Sequence, residues 1–206
     1  MNLPNKLTLG RLFATPVFMA FVLHENFYSQ TAALLVFIAA GVTDLVDGYL
    51  ARKHNLITPL GVFLDPLADK LIITGAFIAF VEVRALHVPA WMVVAIVGRE
   101  FLITGLRGVA ATHGLSLAAD DGGKYKTSVQ NAAILTILVA MMSRAALAQF
   151  AGVSVEDLAA RGAWAAAAGR LLEFIPFWMM FGATLVSVHT GVRYLVRHAA
   201  LLREQP

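Results

Sequence analysis

Residues 31–51 read TAALLVFIAAGVTDLVDGYLA, and residues 62–81 read VFLDPLADKLIITGAFIAFV. Each run has the roughly 20 apolar residues that a helix needs to cross ~30 Å of hydrocarbon, and each carries two aspartates near one end. An ionised aspartate at the centre of such a helix costs about 2.5–3.5 kcal/mol even on the mildest scale, so Asp44, Asp47, Asp65 and Asp69 require compensation. Runs of similar character lie near 9–23, 89–112, 128–149 and 174–196. The pattern predicts an all-α integral membrane protein: six transmembrane helices in one domain over 1–206, with Met1–Leu7 as a short N-terminal interfacial helix.

Composition points the same way. Of 206 residues, 59% are hydrophobic and 14% charged, where water-soluble chains hold about a quarter charged residues. Mean hydropathy is +0.73. A soluble nucleic-acid binder is thereby excluded, and the net charge of +3 suits anionic lipid instead. The absence of cysteine rules out disulfides, thiolate metal sites and a cysteine nucleophile. No small-x-small cleavage pattern follows Leu23, so the first run is expected to be a retained helix. Ser154-Val-Glu-Asp157 reads as a helix N-cap, which predicts an interfacial helix over 155–170.

Lys6, Arg11, Arg52, Lys53, Arg107, Lys124, Lys126, Arg193, Arg197 and Arg203 fall at one set of helix ends, and only Arg84, Arg144, Arg161 and Arg170 at the other. The positive-inside rule then places both termini in the cytoplasm, with segments 52–61 and 113–127 on that side.

Spacings of three and four put Asp44 with Asp47, and Asp65 with Asp69, on one face of each helix. The short connection containing Pro59 and Gly61 makes the two helices antiparallel neighbours, so the pairs can converge. Two hard divalent cations in oxygen ligands would neutralise four carboxylates, and metals about 4 Å apart are a recurrent device for clamping attacking and leaving oxygens in phosphoryl chemistry. The plainer alternatives are salt bridges to Arg52, Lys53 and Lys70, or a cation or proton pathway. Gly48 and Ala51 follow Asp47 on nearly the same face, where missing side chains let a bulky ligand approach the backbone, and Arg52 offers a fork of donors for phosphate.

The stretch Asp44-x2-Asp47-Gly48-x2-Ala51-Arg52-x8-Gly61-x3-Asp65-x3-Asp69 resembles without departure the signature of the CDP-alcohol phosphatidyltransferases, D-x2-D-G-x2-A-R-x8-G-x3-D-x3-D. Two softer stretches, Asn2 to Arg11 and Gly98 through Arg107 to Thr127, are similar to the phosphatidylglycerophosphate synthase branch. The resemblance implies transfer of a phosphatidyl group from CDP-diacylglycerol to sn-glycerol 3-phosphate, giving phosphatidylglycerophosphate and CMP. It implies that Asp44, Asp47, Asp65 and Asp69 ligate two ions, Mg²⁺ or Mn²⁺, with Asp69 also the general base. Gly48, Ala51, Arg52, Thr8 and Asn5 would line the CDP site, and the protein would be a homodimer; the charge asymmetry is expected to turn the active site to the cytoplasm, and a compact chain with no transit-like extension favours a bacterial inner membrane.

A phosphate-bearing acceptor needs fixed cations, and the topology offers Arg107, Lys124 and Lys126 at the cytoplasmic mouth. Asp120 and Asp121 depart from the branch pattern beside them. Arg99 and Glu100, adjacent within the fourth run, are expected to point apart and to find structural partners on neighbouring helices. The six histidines are scattered, with no pair at metal-ligand spacing. Competing readings are the same chemistry on inositol phosphate or serine, a membrane prenyltransferase, and a cation transporter.

Overall fold

The computed structural model describes residues 3–53, 59–112 and 121–198, and among these every regular element is helical. Six long helices follow the six apolar runs: α1 (Leu3–Val22), α2 (Phe27–Lys53), α3 (Pro59–Glu82), α4 (Ala90–Thr112), α5 (Asp121–Ala151) and α6 (Ala163–Arg197). Short 3₁₀ turns, Arg84–Leu86 and Glu156–Arg161, precede α4 and α6. By length and composition three stretches can each cross a membrane: Phe27–Gly48, Gly122–Ala151 and Ala163–Arg197. Charges interrupt the apolar character of α1, α3 and α4, through Arg11, Asp65, Asp69, Arg99, Glu100 and Arg107.

Two boundaries differ from expectation. The lead-in at 3–7 and the run at 9–23 form one unbroken helix, because Leu7, Thr8 and Leu9 include no residue that stops a helix. At 155–170, a 3₁₀ turn ends at Gly162, whose φ of +110° is open to glycine alone, and α6 starts immediately after it. Only the cap holds as expected. The Ser154 hydroxyl accepts the Asp157 N–H at 3.2 Å, while the Asp157 carboxylate accepts the Ser154 hydroxyl at 2.8 Å and its N–H at 3.1 Å. These bonds hold the Asp157 carboxyl below its usual range.

Helix α1 packs against α2 and α3, α5 against α2 and α6, and α4 against α6. The buried face of α1 runs through Asn5, Thr8, Arg11, Thr15, Phe18 and Val22, a spacing of three and four that keeps one stripe inward. That stripe is polar in its first half and apolar in its second. Phe18 and Val22 join Phe77, Phe80, Ile134 and Met180 in the main core. Many large apolar side chains face outward instead, including Leu45, Val94, Phe101 and Trp164; against lipid this is the low-cost arrangement, and against water it would be an aggregation surface.

The small residues of α3 permit the close approach of α1. A Cβ placed on Gly75 would lie 3.0 Å from the Thr15 methyl and 3.1 Å from the Met19 sulfur. Gly75→Val should therefore lower stability by about 1–3 kcal/mol through overpacking, read as a lower thermal midpoint in detergent. Gly182→Ala, where nothing lies within 4 Å, should cause no such loss.

Candidate active site

The polar half of the α1 stripe lands on the aspartates. Arg11, 4% exposed, donates from Nη1 to Asp44 Oδ1 at 2.5 Å and from Nη2 to Asp47 Oδ2 at 2.6 Å. Three residues earlier, the Thr8 hydroxyl donates to Asp65 Oδ1 at 2.6 Å. One turn of α1 therefore ties α2 to α3 through carboxylates, and charge-assisted bonds of this kind are the strong class. Asp47 lies in the field of Asp44 and Asp65, and Asp69 in that of Asp44 and Arg11, so the four acids form one electrostatic unit. Pro66 removes a backbone N–H from α3 beside them.

Of the cations that the plainer alternative would pair with the acids, Lys70 turns elsewhere. Lys70 donates to the Thr104 hydroxyl at 3.0 Å, while Arg11 takes Asp44 and Asp47. Sequence reasoning counted Arg11 only as a cytoplasmic-side cation. The signal that marks it is the polar series Asn5, Thr8, Arg11 at intervals of three within an otherwise apolar helix. Among the described residues no three acidic or histidine side chains are grouped closely enough to hold one ion; the Arg11 guanidinium bridges Asp44 and Asp47. The donor set itself, four carboxylates with no sulfur or imidazole, fits hard divalent cations.

An apolar cavity of about 330 Å³ opens beside the acids, with Arg11, Asp44 and Asp69 at its polar end and Phe37, Ile72 and Leu135 among its walls. A second cavity, about 460 Å³, is lined by Lys70, Arg99, Glu100, Arg107, Lys124 and Lys126. Asn131 of α5 lines both, and the charges of Lys126 and Glu100 reach Asp69. The acidic and cationic regions thus adjoin.

The cationic cavity gathers all three sequence-predicted phosphate residues. Arg107 donates from Nε to the Tyr194 hydroxyl at 3.2 Å and lies 5.3 Å from the centre of that ring. Lys126, largely buried, bonds Glu100, and Lys124 is exposed at the wall. Arg99 and Glu100 do find neighbours on α5 and α6, but they also converge: Arg99 bonds Glu100 at 3.3 Å and the Thr190 hydroxyl at 3.4 Å. Gly191 makes room for this, since a Cβ there would come within 2.6 Å of the Arg99 stem. Asn131 and Tyr194 escaped the sequence reading, and Glu100 and Lys70, read there as a structural residue and as a salt-bridge partner of the aspartates, line this cavity as well.

Asn5 and Thr8 are buried on α1, and Thr8 bonds Asp65. The side chains of Ala51, Arg52 and Asp121, and Asp120 entirely, lie outside the described residues, as do 54–58 and 113–120 of the two expected cytoplasmic connections.

Removing Arg11 leaves buried Asp47 without its cation, and breaking a buried pair from one side costs about 3–5 kcal/mol. Arg11→Gln should accordingly lower the thermal midpoint in metal-free detergent, and adding Asp47→Asn should recover part of the loss. Equal losses in the single and double variants would show that the ion pair contributes nothing beyond packing.

The model of the CDP-alcohol phosphatidyltransferase family matches residues 1–156. The CDP-diacylglycerol–glycerol-3-phosphate 3-phosphatidyltransferase of Bacillus subtilis is 44% identical over 150 residues, covering 67% of this chain and 77% of that protein. A chloroplastic/mitochondrial protein of the same name from Arabidopsis thaliana is 40% identical over 152 residues, 68% of this chain and 51% of its own. The cardiolipin synthase (CMP-forming) of Oryza sativa is 37% identical over 166 residues, 75% of this chain and 50% of its own. With its eight signature positions intact and three quarters of its length matched, the chain belongs to the CDP-alcohol phosphatidyltransferase family.

Proposed function

We propose that this membrane phosphatidyltransferase transfers the phosphatidyl group of CDP-diacylglycerol to sn-glycerol 3-phosphate, releasing CMP and forming phosphatidylglycerophosphate. The observation that carries this reading is the adjoining of an acidic cluster and a cationic cavity across Asn131. A diphosphate donor and a phosphate-bearing acceptor need those two environments side by side. The names of the Bacillus and Arabidopsis relatives support the same acceptor.

Asp44, Asp47, Asp65 and Asp69 would hold two divalent cations, Mg²⁺ or Mn²⁺, which when bound offset negative charge at the diphosphate. Arg11 then has to yield Asp44 and Asp47, and its guanidinium stays within reach of the donor's phosphates. Asn5, Thr8, Gly48, Ala51 and Arg52 hold the CDP moiety, and the apolar cavity beside Asp44 receives the start of an acyl chain. Arg107, Lys124 and Lys126 hold the acceptor's phosphate so that its terminal hydroxyl meets the donor. The hydroxyl oxygen bonds to the phosphatidyl phosphorus, the bond from that phosphorus to the CMP oxygen breaks, and Asp69 takes the proton.

We place the whole chain in one domain of six spans in a bacterial inner membrane, as a homodimer, with both termini and the active site at the cytoplasmic face. The run of cations along that face supports the orientation. The rice relative makes phosphatidylglycerol the competing acceptor. Five cations against one carboxylate in the cavity favour a doubly charged phosphate monoester over that diester.

The test is CMP release from CDP-diacylglycerol by purified protein in detergent with Mg²⁺, with glycerol 3-phosphate, phosphatidylglycerol, inositol phosphate, serine or no acceptor in parallel. Release with glycerol 3-phosphate alone, lost on chelation, is expected; release with another acceptor instead would keep the donor half and overturn the acceptor. Asp69→Asn should abolish turnover while CDP-diacylglycerol still binds, and near-normal turnover would remove the base assignment. Arg107→Gln should raise KM for glycerol 3-phosphate roughly 10- to 100-fold, the loss of one charged hydrogen bond, with a smaller change in kcat.

A further inference from the structure

Glu100 is the one acidic side chain among the described residues lining the cationic cavity, in the company of Lys70, Arg99, Arg107, Lys124 and Lys126. A site built only to hold phosphate has no use for it, because a carboxylate repels the ligand and cancels one of the cations. Its hydrogen bonds are also one-sided. Lys126 and Arg99 both bond Oε1, and Oε2 takes part in neither bond, on a side chain 22% exposed at the cavity wall. A carboxylate has about four lone-pair sites on its two oxygens, so this one retains capacity to accept a hydrogen from a ligand. Its position is held: Lys126 comes from α5, while Arg99 is pinned between Thr190 and the bare backbone of Gly191 on α6. The cavity that Glu100 lines adjoins, across Asn131, the one that Asp69 lines.

We propose that Glu100 is a specificity-determining residue, whose second carboxylate oxygen accepts a hydrogen bond from the hydroxyl of the acceptor that does not react. The inference rests on the phosphorylated-acceptor reading of the cavity and adds to it the class of molecule taken: a phosphate monoester of a polyol. The cations read the phosphate at one end, Asp69 receives the reacting hydroxyl at the other, and Glu100 reads the hydroxyl between them. A buried acceptor group left unpaired by a ligand lacking that hydroxyl is the kind of penalty that gives strong discrimination. A purely structural Glu100, acting as a strut for Lys126, would affect every phosphorylated acceptor alike.

The experiment compares kcat/KM for glycerol 3-phosphate with that for 3-hydroxypropyl phosphate, which lacks only the middle hydroxyl, in the full-length protein and in Glu100→Ala and Glu100→Gln. The unaltered protein should prefer glycerol 3-phosphate by about 10- to 100-fold. Glu100→Ala should bring the two acceptors within about threefold of each other, and Glu100→Gln, whose amide oxygen still accepts, should keep an intermediate preference. CDP-diacylglycerol binding reports whether each variant is folded; if Glu100→Ala fails to bind donor, the Glu100→Gln ratio alone decides. A preference unchanged by substitution, or no preference in the unaltered protein, overturns the proposal and leaves the acceptor assignment standing. No CMP release with either phosphate but release with phosphatidylglycerol overturns the acceptor assignment, and this inference with it.

Discussion

Charge in a low-dielectric setting has to be answered by charge, and in this protein Arg11 answers Asp44 and Asp47. Without some cation between them, two carboxylates one turn apart on an apolar helix would repel each other and resist leaving water. With Arg11 there, α1 is fixed in rotation about its own axis, since the stripe that carries Arg11 also carries Thr8 to Asp65 and, further along, Phe18 and Val22 to the core. The same face thus serves the site at one end and the packing at the other. Gly75 completes the arrangement by letting α1 lie close on α3.

The site is divided by sign. Helices α2 and α3 supply acids, α4 and α5 supply most of the cations, and α6 closes the cationic side through Thr190 and Tyr194. Asn131, a neutral donor and acceptor, stands at the boundary. Opposite charges thus lie mostly in adjoining but separate cavities. If they were fully paired with one another, both would be spent on structure, as Arg11 is now with Asp44 and Asp47.

How much of this the sequence disclosed can be judged residue by residue. The six long helices were legible because long apolar runs declare themselves without any knowledge of neighbours. The aspartates were legible because their spacing is local and their cost is not. Arg11 was hidden by a count that credited it to the membrane surface, although Asn5, Thr8 and Thr15, buried with it, mark the same face. Arg99 and Glu100 misled for another reason: adjacent residues on a helix diverge by about 100° at the backbone, yet these long side chains bend back to meet, while Arg99 also reaches Thr190 on α6 and Glu100 also meets Lys126 from α5.

Local spacing and transfer energetics therefore determined which segments are helices, that some of them are apolar enough for lipid, and that the four carboxylates fall in two pairs, each on one face of its helix; these properties depend only on residues a few positions apart and on the solvent. Only the tertiary structure decided which cation meets which acid, that Lys126 and Glu100 from different helices share one cavity, and that this cavity adjoins the aspartates at Asn131. Those pairings depend on helix rotation and on close approaches such as Gly75 to Met19 and Gly191 to Arg99, which are settled when all six helices pack together and by no segment alone.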